Sequence, residues 1–164
     1  SGLVTIAGGK WTTYRRMAED CVDQAAVIAG LDDRPCVTRR LNVHGYHRHA
    51  RKFGELAVYG SDAPGIGDLM RADPSLGEPL HPSLPIRAAQ VVWAARRELA
   101  RTVDDVLARR TRALPLNARA AAAMAPQVAA ILAAELGKDG AWEREQVESF
   151  TQLARGYLPF GGVS

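Results

Sequence analysis

The chain has 164 residues, 47% of them hydrophobic and 24% charged, with a formal net charge of +3. That length buries one good core and that balance excludes wholesale disorder. A charge of +3 does not by itself mark a nucleic-acid binder, and no apolar run reaches the ~20 residues that span a bilayer.

Leu3-Val4-Thr5-Ile6-Ala7 is short, apolar and rich in β-branched residues, which predicts a buried strand. Gly8 and Gly9 then form a turn. Tyr14, Met17, Ala18, Cys21, Val22, Ala25, Ile28 and Ala29 follow at the spacing of an amphipathic helix, with Gly30 as its C-terminal cap. The strand has no partner nearby in sequence, so it is expected to complete a sheet outside the chain, which therefore reads as part of a larger protein. Two cysteines make no disulfide framework, and Cys21 on the apolar helix face reads as a reduced, cytosolic thiol.

A glycine turn that opens a helix presents unpaired N–H groups and the positive end of the helix dipole. Lys10 adds a mobile charge, and Thr12 and Thr13 add hydroxyls. The set suits an anionic or electron-rich partner: a phosphate, a carboxylate or a reduced flavin. It is neither a P-loop, since Val4 and Trp11 stand where that pattern needs Gly and Ser or Thr, nor a G-x-G-x-x-G fingerprint. The competing reading is an ordinary turn with an exposed lysine.

Residues 31–45 lose helical period around Asp32-Asp33-Arg34-Pro35 and read as a linker. Helices are predicted over about 46–58 and 62–71, and a loop from Ser75 to Pro85, because Pro79, Pro82 and Pro85 resist regular structure. Pro85 suits the first turn of a long helix carrying Ile86, Ala89, Gln90, Trp93, Ala94 and Arg97 on one face, widened by Val92 and Leu99. A helix over 102–110 has Thr102 as its cap, with Asp104 and Asp105 in its first turn. Leu114-Pro115-Leu116 breaks it. Asn117 caps an alanine-rich helix that Pro126 kinks or restarts and Gly137 ends, and a last helix covers 140–156 before a Gly161-Gly162 tail. The fold class is mainly α: a bundle of about six helices behind the strand-turn-helix.

Two further features compete for a function. His44, His47 and His49 cluster near a helix start, but no acidic residue or cysteine completes a metal shell. Arg96, Arg97, Arg101, Arg109, Arg110 and Arg112 form a basic run without the aromatics of a nucleic-acid face, which favours tying helices together or docking a neighbour. Asp104 and Asp105 are placed to pair with Arg101. No carboxylate pair in an apolar setting and no Ser or Cys nucleophile stands out, so the helical part displays no chemistry of its own.

Gly8-Gly9-Lys10-Trp11-Thr12-Thr13-Tyr14-Arg15, continuing Met17-Ala18-Glu19-Asp20, resembles the signature near the end of the flavin-binding part of FAD-dependent glycerol-3-phosphate dehydrogenases. The tryptophan after the lysine is similar to mitochondrial-type members. Thr102-Val103-Asp104-Asp105-Val106-Leu107-Ala108-Arg109-Arg110-Thr111-Arg112 and then Leu116-Asn117 resemble a segment of the same family's helical C-terminal domain. The resemblance covers nearly the whole chain but only about the last third of the family's enzyme. It implies that 1–30 ends an FAD-binding domain, 31–45 is a linker and 46–164 is the helical C-terminal domain.

It also implies a parent enzyme that oxidises sn-glycerol 3-phosphate to dihydroxyacetone phosphate and passes electrons from FAD to quinone. That enzyme would be cytoplasmic and peripheral on the inner face of the cell membrane. Gly8, Gly9, Lys10 and Thr12 would face the flavin, with Lys10 in the catalytic role and also a candidate for the substrate phosphate. The dinucleotide-binding glycines, substrate-clamping arginines and proton-accepting base would precede residue 1, leaving this chain alone inactive. The helical domain's job stays open between cap, homodimer contact and membrane-side docking. The alternative from another class is a non-enzymatic helical module that binds an anionic protein or nucleic acid through Arg96 to Arg112.

Overall fold

Helical periodicity carries most of the sequence into helices, and the outcome is a mainly α protein. The computed structural model describes residues 2–158, so the expected Gly161-Gly162 tail lies outside the described residues. The chain divides into two compact units, Ser1–Tyr46 and His47–Ser164.

In the first unit a single 3-10 turn, Trp11–Thr13, leads into helix α1, Tyr14–Ala29. Gly30 ends α1 at φ 64°, donating its N–H to the carbonyls of Ala26 and Val27, the left-handed cap expected there. The expected strand at Leu3–Ala7 is not formed: residues 2–10 are irregular, because no described segment offers a ladder to pair with. Residues 31–49 hold no helix or strand. No residue of α1 is buried, and Val22, Val27 and Ile28 are all more than half exposed.

The second unit opens with an irregular 3-10 stretch, Ala50–Asp62, where a regular helix is predicted. Gly54 and Gly60 hold φ near 58° and 54°, breaking the helix at two points that a side chain would strain. Helix α2, Ala63–Ala72, follows. Gly65 lets α2 approach the Trp93 ring; a Cβ there would stand 2.7 Å from Cζ3. Gly65→Ala is therefore expected to lower unfolding free energy by about 1–3 kcal/mol in thermal unfolding, despite the ~1 kcal/mol that alanine gives a helix.

The proline-rich stretch is not a plain loop. Strands β1, Pro79–His81, and β2, Leu84–Arg87, pair antiparallel with Pro79 opposite Arg87 and His81 opposite Leu84. In a two-stranded ribbon every strand is an edge, where prolines are tolerated. Leu80, Leu84 and Ile86 point inward. Pro85 thus sits in β2 rather than in a helix, and α3, Ala88–Arg97, begins three residues later.

A capping box opens the next segment: Asp105 N–H donates to Thr102 Oγ1 at 3.1 Å, and Thr102 N–H donates to Asp105 Oδ2 at 3.1 Å. The segment then widens into a π-helical turn, Asp105–Arg110, closed by Thr111 N–H on Val106 O at 2.9 Å. Val103, Val106 and Leu107 become fully buried. Leu114-Pro115-Leu116 lies inside a short helix α4, Ala113–Leu116, because a proline in the first turn removes no hydrogen bond.

Asn117 caps α5, Ala118–Leu136, accepting from Ala120 N–H at 3.0 Å, and Gly137 ends it at φ 64°. Pro126 sits exposed within an unbroken helix, where water can reach the carbonyl it leaves unbonded. Asp139 caps α6, Gly140–Arg155, through Trp142 N–H at 2.9 Å. The core gathers α3, α5 and α6 around Val91, Leu107, Met124, Val128, Leu132 and Phe150.

Candidate functional site

Two places carry the sequence motifs, one in each unit. In the first, Gly8 and Gly9 hold φ 77° and 102°, the left-handed region that favours glycine, so the chain reverses just ahead of the helix. A Cβ on Gly9 would lie 2.2 Å from Met17 Sδ, so the turn also lies close over α1. Lys10 is extended at φ −94° and ψ 147°, and its carbonyl accepts from Thr13 N–H and Thr13 Oγ1, both at 2.9 Å. Thr12 lies within the 3-10 turn. Trp11 and Tyr14 stack with ring centroids 5.3 Å apart.

The structure thus brings Gly8, Gly9 and Lys10 to one rim of an apolar groove of about 560 Å³ whose wall includes Trp11, Tyr14, Met17 and Cys21. The amides of Thr13 and Tyr14 are spent on the carbonyls of Lys10 and Trp11, so one lysine and two aromatic faces are what this groove offers a flat ring with an anionic edge. Arg15 is held away from this rim: it donates to Glu19 at 2.9 Å and to Thr38 Oγ1 at 3.1 Å.

In the second unit the arginines act mostly as ties. Arg96 grips Glu135 with two bonds of 2.6 and 2.7 Å, joining α3 to α5, with the glutamate largely covered and the arginine exposed. Arg109 pairs with Asp104 and Asp105. The expected Arg101 pairing is replaced: its guanidinium donates to the carbonyls of Ala95 and Ala100, and only its backbone N–H meets Asp105, at 2.9 Å. Burial opposes ionisation of Asp105, but donors from Arg101, Thr102 and nearby Arg109 outweigh it and hold its carboxyl below the ordinary value. Arg87 bonds Glu55 and the Gly77 carbonyl, and Arg97 lies 5.9 Å over the Trp93 ring.

His47 accepts from the His49 backbone N–H at 3.0 Å through Nδ1 and packs edge-on against Phe53. Among the described residues no group of three or more His, Cys, Asp or Glu is arranged to hold a metal ion. Sequence reasoning missed Glu98, whose half-buried carboxyl sits at the end of α3. It follows two arginines at a helix end, and nothing in that pattern signals a carboxylate turned inward.

The family of the C-terminal domain of alpha-glycerophosphate oxidase matches residues 4–146. A probable mitochondrial glycerol-3-phosphate dehydrogenase of Caenorhabditis elegans is 38% identical over 90% of the chain and 23% of its own length. The mitochondrial glycerol-3-phosphate dehydrogenase of Mesocricetus auratus is 35% identical over 100% of the chain and 25% of its own length. The human enzyme of that name is 33% identical over 91% of the chain. The chain spans about a quarter of the length of these relatives, and no solved structure matches it. Two motifs in the right order, a match over most of the chain and relatives above 30% identity converge: the chain belongs to the alpha-glycerophosphate oxidase C-terminal domain family and corresponds to the C-terminal part of glycerol-3-phosphate dehydrogenases.

Proposed function

We propose that this chain completes an FAD-dependent enzyme that oxidises sn-glycerol 3-phosphate to dihydroxyacetone phosphate and delivers the electrons to quinone. The observation that carries this reading is the Gly8-Gly9-Lys10 turn at the start of α1, rimming an apolar groove, in a chain whose relatives bear that enzyme's name. FAD, when bound, supplies the hydride-accepting chemistry. Gly8 and Gly9 would hold the turn that faces the pyrimidine edge of the ring, and Thr12 would add a hydroxyl beside it. Lys10 would stabilise negative charge at that edge, a preorganised electrostatic role. Lys10 would also serve a substrate phosphate carried into the same groove.

The exposed apolar face of α1 supports the same assignment, since a helix with no buried residue gains its stability by packing on something beyond these residues. Residues 1–30 then close the flavin-binding domain, 31–45 link it, and 46–164 form the helical domain, which serves as cap, homodimer contact or membrane-side support. No helix among the described residues is long and apolar enough to cross a membrane, and peripheral attachment to the inner face of the cell membrane fits the quinone acceptor. The experiment is a dye-reduction assay with FAD and glycerol 3-phosphate. The chain joined to the flavin-binding region of a relative is expected to turn over, and the 164-residue chain alone is not. Turnover by the isolated chain overturns its expected inactivity, and a joined protein that binds flavin but does not turn over overturns the assignment.

The binding-module alternative is weakened by the pairing of Arg96, Arg109 and Arg110 to groups within the second unit. A polyanion that binds this chain and is released by Arg109→Ala and Arg110→Ala would restore it.

A further inference from the structure

We propose that the corner where α3 ends is a pH-sensitive latch, with the carboxyl of Glu98 as its titrating group and its uncharged form keeping the corner closed. The corner is built under tension. Glu98 ends α3, and Leu99, exposed to solvent, takes φ 56°, a left-handed conformation that a leucine resists. Glu98 N–H donates to Ala94 O at 3.1 Å, and the Arg101 guanidinium donates to the carbonyls of Ala95 and Ala100 at 3.1 and 2.8 Å. Ala100 N–H reaches back to Ala94 O at 3.0 Å, and Arg110 donates Nε and one terminal nitrogen to the main-chain oxygen of Glu98 at 3.1 and 2.7 Å.

The side chain of Glu98 turns inward. Its Oε2 is buried without a hydrogen-bond partner, as is the indole nitrogen of Trp93 on the same helix. The groups that face it are Tyr59 and Asp62 from the 3-10 stretch before α2 and Arg110 from the π-helical turn. Tyr59 is engaged with Gln90, which donates to its hydroxyl at 3.1 Å. Burial, above all, pushes the Glu98 carboxyl up from its ordinary range; the nearby Arg110 charge offsets part of that, and the Asp62 charge adds to it. For an acid whose value is raised in the folded state, the stabilisation is full below the ordinary carboxyl range. It is lost as pH climbs through the folded value.

Above that point the carboxylate must find water or draw on the Arg110 guanidinium, which is the group that grips the Glu98 carbonyl. Ionisation therefore works against the same bond that closes the corner. Opening releases the π-helical turn from α3, so Arg109 and Arg110 are presented differently on the two sides of the transition.

The test uses the intact chain. The ¹³C-carboxyl shift of Glu98 is followed against pH, beside amide exchange at Ala100 corrected for the intrinsic pH dependence of exchange. Glu98 is expected to titrate above the ordinary glutamate range, and protection at Ala100 to fall severalfold over the same interval. In Glu98→Gln the protection is expected to stay level with pH. Arg110→Lys keeps the charge but loses the forked grip, so Ala100 exchanges faster than in the unaltered chain, with the Ala94 and Arg101 bonds still in place, while the Glu98 titration stays raised. Titration of Glu98 at or below the ordinary range, or an unchanged pH dependence of exchange in Glu98→Gln, overturns the latch. If Glu98→Gln fails to fold, the coincidence of the two wild-type curves decides it: separate midpoints overturn the proposal.

Discussion

Under the proposed function, Lys10→Ala, made in this chain joined to the flavin-binding region of a relative, is expected to slow reduction of the flavin by glycerol 3-phosphate about a hundredfold, the loss typical of one preorganised donor removed from developing negative charge. The chain gives a reason to expect a clean effect. Lys10 is exposed, and the bond that shapes the turn is made by its main-chain oxygen, which alanine keeps. Stopped-flow bleaching of the flavin absorbance at saturating substrate reads the effect, with circular dichroism as the folding control. Two outcomes separate the two jobs available to the lysine. A slowed maximal rate places Lys10 at the flavin edge; a raised KM with an unchanged maximal rate places it on the substrate phosphate. If both parameters are unchanged, the lysine has no part in the reaction.

Phe150→Ala is expected to cost the helical unit about 3–5 kcal/mol, the usual range for emptying an aromatic site in a packed core. Phe150 is 1% exposed on α6 and packs in the cluster that includes Met124, Val128 and Leu132. Alanine-lined surroundings have little side chain with which to fill the void, so the upper half of that range is expected. Urea unfolding followed by far-UV circular dichroism should show a lower midpoint with an unchanged slope. A loss below about 1 kcal/mol would mean that α5 and α6 close over the cavity.

What the sequence made legible follows from how local each signal is. Caps were readable because the cap residue and its partner are three positions apart: Asn117 with Ala120, Thr102 with Asp105, and Gly30 and Gly137 with their own backbones. The prolines misled in both directions. At 79 and 85 they stand in a hairpin whose strands are both edges, and at 115 and 126 in helices that lose little by them. Propensity registers the missing N–H but not whether the fold needs it. The π-helical turn was unreadable because the local spacing is that of an ordinary helix, although Val106 and Leu107 both end up fully buried in it. The strand at Leu3–Ala7 shows the reverse case, a local pattern whose realisation needs a partner that no local pattern supplies.

At the candidate site the motif residues were visible because glycines with positive φ and a lysine are adjacent in the chain. Glu98 was invisible because its surroundings come from residues 59, 62 and 110. A chemistry assembled from one turn can be read along a line, whereas one assembled across three elements requires the fold.

The alanines of α5 carry one more consequence. Ala121, Ala125 and Ala129 are fully enclosed, and their methyl groups set the spacing between α5 and its neighbours. Any larger residue at these positions acts as a wedge, prying neighbouring cylinders apart along their length instead of denting one spot. Variation in this protein should therefore be bounded on that helix by girth more than by polarity, with glycine and serine tolerated where valine is not.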